Sequence, residues 1–200
     1  MSKFHDDRAQ ASDPVHISLS REKLRKFHPE LFGWRSWLTT VEVFGRRLHA
    51  KMAQRMLAEH VANGDSRAAV VIHVHPLLIA AYTDEQDAIV LLRFPNETAG
   101  EYRLNKGDRM LTINTYSPGK ELAADIVEGA NSTRRWANFY PLIAEFVSGD
   151  EAAIRKRKGA IAPAEWQRTV ELARAHVSKP GFGIRDGRPL LSWNPNPPAS

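Results

Sequence analysis

The spacing of apolar residues changes period twice along this 200-residue chain, from helical to alternating and back. Residues 1–17 are polar, broken by Pro14 and without any period, and we read them as a flexible tail. From Ser20 the stretch "SREKLRKFHPELF" offers an N-cap, Glu22 in the first turn, and Leu24, Phe27 and Leu31 on one stripe, which predicts a short helix ending near Pro29. Phe32, Trp34 and Trp37 follow as an aromatic anchor for this segment. Thr39 and Glu42 then have the spacing of a capping box, and Val41, Phe44, Leu48, Met52 and Met56 fall along one stripe. A long helix is predicted from about residue 40 to 62, with Gly64 as its stop. A strand in "LTTVEVF" is the weaker alternative.

Past the "NGDS" loop the period becomes two. "AAVVIHVH", "LLIAAYT" and "AIVLLRF" read as strands, the last two forming a hairpin about the turn "DEQD". "GEYRLN" and "RMLTINTY" read as a second hairpin about "KGD". The centre is thus predicted to be an antiparallel meander of four to five strands, since no helical crossover separates them.

Helical punctuation then returns. "YSPGKELAADIVEG" has Ser117 as N-cap, Pro118 at the first helical position and Gly129 past the end. "NFYPLIAEFVSG" makes a helix if Asn138 caps it, so that Pro141 lies in the first turn. Asp150 caps the basic helix "EAAIRKRK", and Pro163 opens a last helix with Trp166, Val170, Ala173 and Val177 on its apolar side. The proline-rich remainder, 179–200, reads as a second tail. The predicted architecture is α+β, a single domain over 18–178 whose central antiparallel sheet carries the long helix and several shorter C-terminal helices on one side. Its core should draw on Phe44, Leu48, Met52, Val71, Ile72, Leu91, Ile113, Ile126, Ile143, Phe146, Trp166 and Val170.

With 42% hydrophobic and 26% charged residues the chain has the composition of an ordinary globular domain. Such a length buries roughly 70% of its unfolded surface and needs no metal to fold. Cysteine is absent, which excludes disulfides, thiolate metal sites and cysteine nucleophiles. No stretch approaches the roughly 20 apolar residues of a membrane span, and no lipidation signature is present. We therefore expect a cytoplasmic protein without membrane attachment. A net charge of +5 permits contact with nucleic acid without arguing for it.

The chemistry most plainly offered lies in "VVIHVHPLL". His73 and His75, two apart on a strand, project from one face, where neutral imidazoles can reach one zinc ion at about 2.0–2.1 Å. A third ligand and an open position would make the site catalytic. The segment 73–87, "HVHPLLIAAYTDEQD", resembles the zinc signature of JAMM/MPN-type metalloproteases, in which His-x-His-Pro is followed by Ser-x-x-Asp. That resemblance implies zinc on His73 and His75. Thr83 stands in the serine's place and Gln86 in that of the ligand aspartate, with Asp84 and Asp87 out of step. "DAIVLLRF" reads as a strand where that family opens a helix, so we take the likeness as a local one.

Other signals are weaker. His49 and His60 border the stripe of the long helix about 16 Å apart, too far to share an ion. No Gly-x-Ser-x-Gly elbow occurs, "SPGK" lacks the upstream glycine of a phosphate loop, and "GFGIRDG" has the wrong spacing for a dinucleotide fingerprint. Basic clusters suited to phosphates are Arg134 and Arg135 beside Trp136, and Arg155, Lys156, Arg157 and Lys158. Acidic residues among them favour solvated helix faces instead. The sequence favours a binding or interaction domain with a protein partner, no catalysis and no cofactor. A zinc hydrolase on His73 and His75, and a nucleic-acid-binding protein using the basic clusters, are the alternatives.

Overall fold

The computed structural model describes residues 13–28, 42–178, 181 and 183–189, with 42–50 as helical backbone only. Its centre is a seven-stranded sheet curled into a half-barrel, in the order β5-β3-β2-β1-β4-β6, with β7 also on β3. The strands are β1 (Asp65–Val74), β2 (Leu77–Thr83), β3 (Ala88–Phe94), β4 (Arg109–Ser117), β5 (Val127–Glu128), β6 (Asn138–Ile143) and β7 (Arg185–Asp186). The helices are α1 (Arg21–Phe27), α2 (Glu42–Asn63), α3 (Asn96–Glu101), α4 (Ala144–Val147), α5 (Glu151–Ala160) and α6 (Pro163–Val177). An α+β architecture around an antiparallel sheet is therefore correct.

Seven strands replace the expected four to five, and the order is not a simple meander. β1, β2 and β3 do follow one another as adjacent antiparallel neighbours. β4 then crosses to the free edge of β1, pairing Asp65 with Asn114 through Val70 with Arg109. "GEYRLN" is not the partner strand expected for β4. It forms the end of α3 and the turn after it, with the N–H of Leu104 on the Ala99 carbonyl at 2.8 Å.

Two expected helices are also absent. Between β4 and β6 the chain from 118 to 137 holds only the short β5, and the N–H of Ala137 returns to the Ser117 carbonyl at 3.0 Å. Leu122, Ala123 and Ile126, apolar at near-helical spacing, instead pack onto the sheet from this loop. Residues 138–143 form an edge strand on β4, where Pro141, opposite Asn114, can lack an N–H without breaking an interior ladder. Only Ala144–Val147 of that segment is helical.

Both sheet faces are covered, not one. On the first, Ala69, Val71, Ile79, Val90, Leu92, Met110 and Phe139 join Phe27, Phe146 and the loop residue Ile126. On the second, Val70, Leu111, Ile113 and Leu142 meet Leu57 and Val61 of α2, Ile154 of α5 and Trp166 of α6. α6 also reaches β2 and β3, where Leu172 and Ala173 pack on Ala80, Ile89 and Leu91. Burial on both faces explains the nearly continuous apolar runs of β2 and β3.

Helix faces rotate relative to expectation. In α2 the inward stripe is Ala53, Leu57 and Val61, while Met52 and Met56 are 57% and 52% exposed. Val41, Phe44, Leu48 and His49 lie outside the described side chains, as do Thr39 and the aromatic anchor. In α6, Trp166, Thr169, Leu172, Ala173 and His176 are buried, with Val170 and Val177 at the margin. Ser20 caps α1 through the Lys23 N–H. Asp150 does not cap α5; its carboxylate accepts from the N–H and hydroxyl of Ser18, at 2.6 and 2.8 Å.

Parts of the two expected tails are built into the fold. Pro14 bridges to Asp65, and Ile17 is buried with Leu24, Val147 and Ile154. β7, within 179–200, runs parallel to β3, and Arg185 binds Asp125, Asn138 and the Phe139 carbonyl.

Candidate ligand-binding groove

His73 and His75 are both exposed at the turn joining β1 to β2. A bulge between Val71 and His73 shifts the register, and His75 lies in the turn, so the two imidazoles do not share a regular strand face. Nδ1 of His73 accepts from the His75 N–H at 3.2 Å and lies 3.1 Å from the Pro76 carbonyl oxygen. Among the described residues no group of three His, Asp or Glu side chains converges to hold an ion. Gln86, where the resemblance requires an aspartate, is fully buried and donates to the Trp136 carbonyl.

The basic residues separate. Arg134 is held by both oxygens of Glu128 at 2.9 Å, and Arg135 reaches Glu85 and lies over the Trp136 ring. Arg157 turns inward to Ser66 and Asp13, and Lys158 binds Glu145 and the Arg109 carbonyl. Only Arg155 and Lys156 of the second cluster point outward. The expected basic clusters thus supply internal braces as much as surface.

One end of the half-barrel is polar. Asp65 and Arg67, almost fully buried, sit beside each other on β1, with Arg67 Nε 3.0 Å from Asp65 Oδ2. The same guanidinium binds Asp84 and donates to Asp13 Oδ2 at 2.5 Å. Tyr116 donates to Asp65 at 3.1 Å and so accepts from Thr83 at 2.8 Å. Burial raises the Asp65 carboxyl above its ordinary range, against the opposing pull of Arg67. Burial also raises the phenols of Tyr116 and Tyr82 well beyond their usual value. Beside them, Arg168 clamps Asp87 at 2.9 and 2.7 Å and holds that carboxyl low. Each charge meets a partner, so the cluster stiffens the sheet end.

Two glutamates finish strands that have run out of neighbours. Pairing of β1 with β2 begins at Ala69, and Glu165 of α6 accepts the Ala68 N–H at 2.7 Å. Pairing of β4 with β6 stops at Thr112, and Glu145 accepts the Leu111 N–H at 3.1 Å. Desolvation raises the Glu165 carboxyl. These contacts fix α6 and α4 to the sheet and so shape what lies between them.

Along α6, the positions 166, 170 and 174 recur every four residues and share a face. With Val70 of β1 and the start of β4 they line an open groove of about 310 Å³. That volume is at the lower end of ordinary ligand sites. Trp166 is buried in its wall with the indole N–H lacking an acceptor, and the Arg109 guanidinium rests over the ring at 5.0 Å. Arg109 and Arg174 are exposed and meet no carboxylate among the described residues. Glu171, also at the groove, stands 3.7 Å from Arg168.

Sequence reasoning placed Trp166 and Val170 in the core and did not single out Arg109 or Arg174. The signal at Arg174 was an arginine beside an apolar stripe, which is ordinary in amphipathic helices, and Arg109 is simply a polar residue opening a strand. No protein-family model, curated protein or solved structure matches this chain.

Proposed function

We propose that the protein is a binding domain without catalysis of its own, acting in the cytoplasm on a protein partner through the groove between α6 and the start of β4. The observation that carries this reading is the groove itself, an open concavity lined by Val70, Trp166 and Val170 and by two cations that meet no carboxylate among the described residues. Surface cavities with a few placed polar groups are where ligands bind. The absence of any membrane-spanning helix among the described residues agrees with attachment to a partner in solution.

Gln167 is exposed at the groove, so Gln167→Trp should obstruct it without touching the core. Affinity capture from cell extract, run in parallel with wild type and Q167W of matched thermal stability, should lose the captured species in the variant. Retention by both would place binding elsewhere. Elemental analysis, with and without His73→Ala, addresses the alternative of a zinc hydrolase on His73 and His75. A stoichiometric metal lost in the variant would replace the present reading. Retention on DNA at about 0.2 M salt, depending on Arg155 and Lys156, would favour the nucleic-acid alternative.

A further inference from the structure

We propose that the groove takes an acidic peptide segment, with carboxylates on Arg109 and Arg174 and an apolar side chain between them against Val70 and Val170. The inference rests on the binding-domain reading and names its partner's chemistry. Arg67, Arg157, Arg168 and Arg185 each hold one or more carboxylates within the fold. Arg109 and Arg174 are both exposed and line the same concavity, with no anion on them among the described residues. A guanidinium has a planar fork of donors matched to a carboxylate. The Arg109 guanidinium rests over the Trp166 ring at 5.0 Å, and its backbone carbonyl is tied to Lys158 at 2.9 Å.

The surroundings select against other anions. Trp166 is only 3% exposed and Arg109 covers its face, so no aromatic platform is left for the base stacking that single strands use. Glu171 places a negative charge on the same wall, which suits discrete carboxylates that avoid it and opposes a continuous phosphate backbone. A volume near 310 Å³ admits a few side chains of an extended segment, not a folded domain.

A fluorescein-labelled, end-capped peptide of four glutamates around a central leucine, titrated by anisotropy into the full chain, tests this. The expected result is saturable binding, weakened about tenfold or more by either Arg109→Gln or Arg174→Gln, as loss of a charge-assisted pair requires. The glutamine version of the peptide should not bind. Absence of binding, or equal binding by wild type and both variants, overturns the proposal. Displacement of the peptide by a short oligothymidylate at equal charge concentration also overturns it, in favour of nucleic acid. Both arginines are exposed, and thermal melts matched to wild type establish that the variants are folded. If Q167W loses a captured partner while R109Q and R174Q keep it, the groove remains the binding site and only the acidic-peptide assignment fails.

Discussion

Arg67 shows how much one side chain can hold. It is 3% exposed and its guanidinium meets Asp65, Asp84 and Asp13. Removing it leaves Asp65 buried without its counter-charge, so Arg67→Met should lower the unfolding free energy by about 3–5 kcal/mol, as read by chemical denaturation. His60 acts through its neutral form. Its Nε2–H donates to the Ile113 carbonyl at 2.9 Å, and desolvation lowers its pKa to about 4. A depressed histidine contributes stability fully above its unfolded pKa and loses it as pH falls through the folded one. Between about pH 6.5 and 4 this loss reaches about 3 kcal/mol at most. Asp65 and Glu165, raised by burial, change in the opposite sense over the acid range. Thermal stability against pH should therefore be compared between wild type and His60→Gln; parallel curves would remove the histidine from the account.

At the scale of elements, success and failure divide by how local the determinants are. The β2–β3 hairpin follows from two short apolar runs joined by a polar turn, and Ser20, Gly159 and Pro163 bracket helices within a residue or two of their observed bounds. Gly64 directly follows α2, and a Cβ there would strike Ile113 and the His60 carbonyl, so the position admits only glycine. Segments 118–129 and 138–143 carry equally good helix punctuation, yet the second is a strand because β4 offers an open edge to it. For α2 the methionine stripe was misleading, since either of two adjacent faces satisfies a helical period. Leu57→Ala should cost about 2–4 kcal/mol. Met52→Ala should change stability by less than about 0.5 kcal/mol. Equal losses in urea denaturation would mean that α2 presents the other face to the sheet.

At the scale of the whole molecule, the ends of the chain matter more than their composition suggests. Asp13 covers Arg67, its carbonyl accepts from the Ser66 N–H at 3.1 Å, and Ile17 fills the second core. Removing residues 1–17 should lower stability by about 3 kcal/mol or more, from lost apolar burial and uncovered polar groups. An unchanged denaturation midpoint would show that this segment is only draped on the surface. Neither candidate site was legible as such: the histidine pair stands out in the string but lies on an exposed turn, while the groove unites β1, β4 and α6 from positions far apart. By itself the sequence determined the class, the β2–β3 hairpin and the helices α1, α5 and α6, because period, caps and turn residues act within a few positions. Only the tertiary structure decided strand order, which helical face turns inward, that 138–143 is a strand, and that Arg109 and Arg174 line one groove. Those outcomes depend on which edges and faces are left open once distant segments have packed, and no local pattern encodes that.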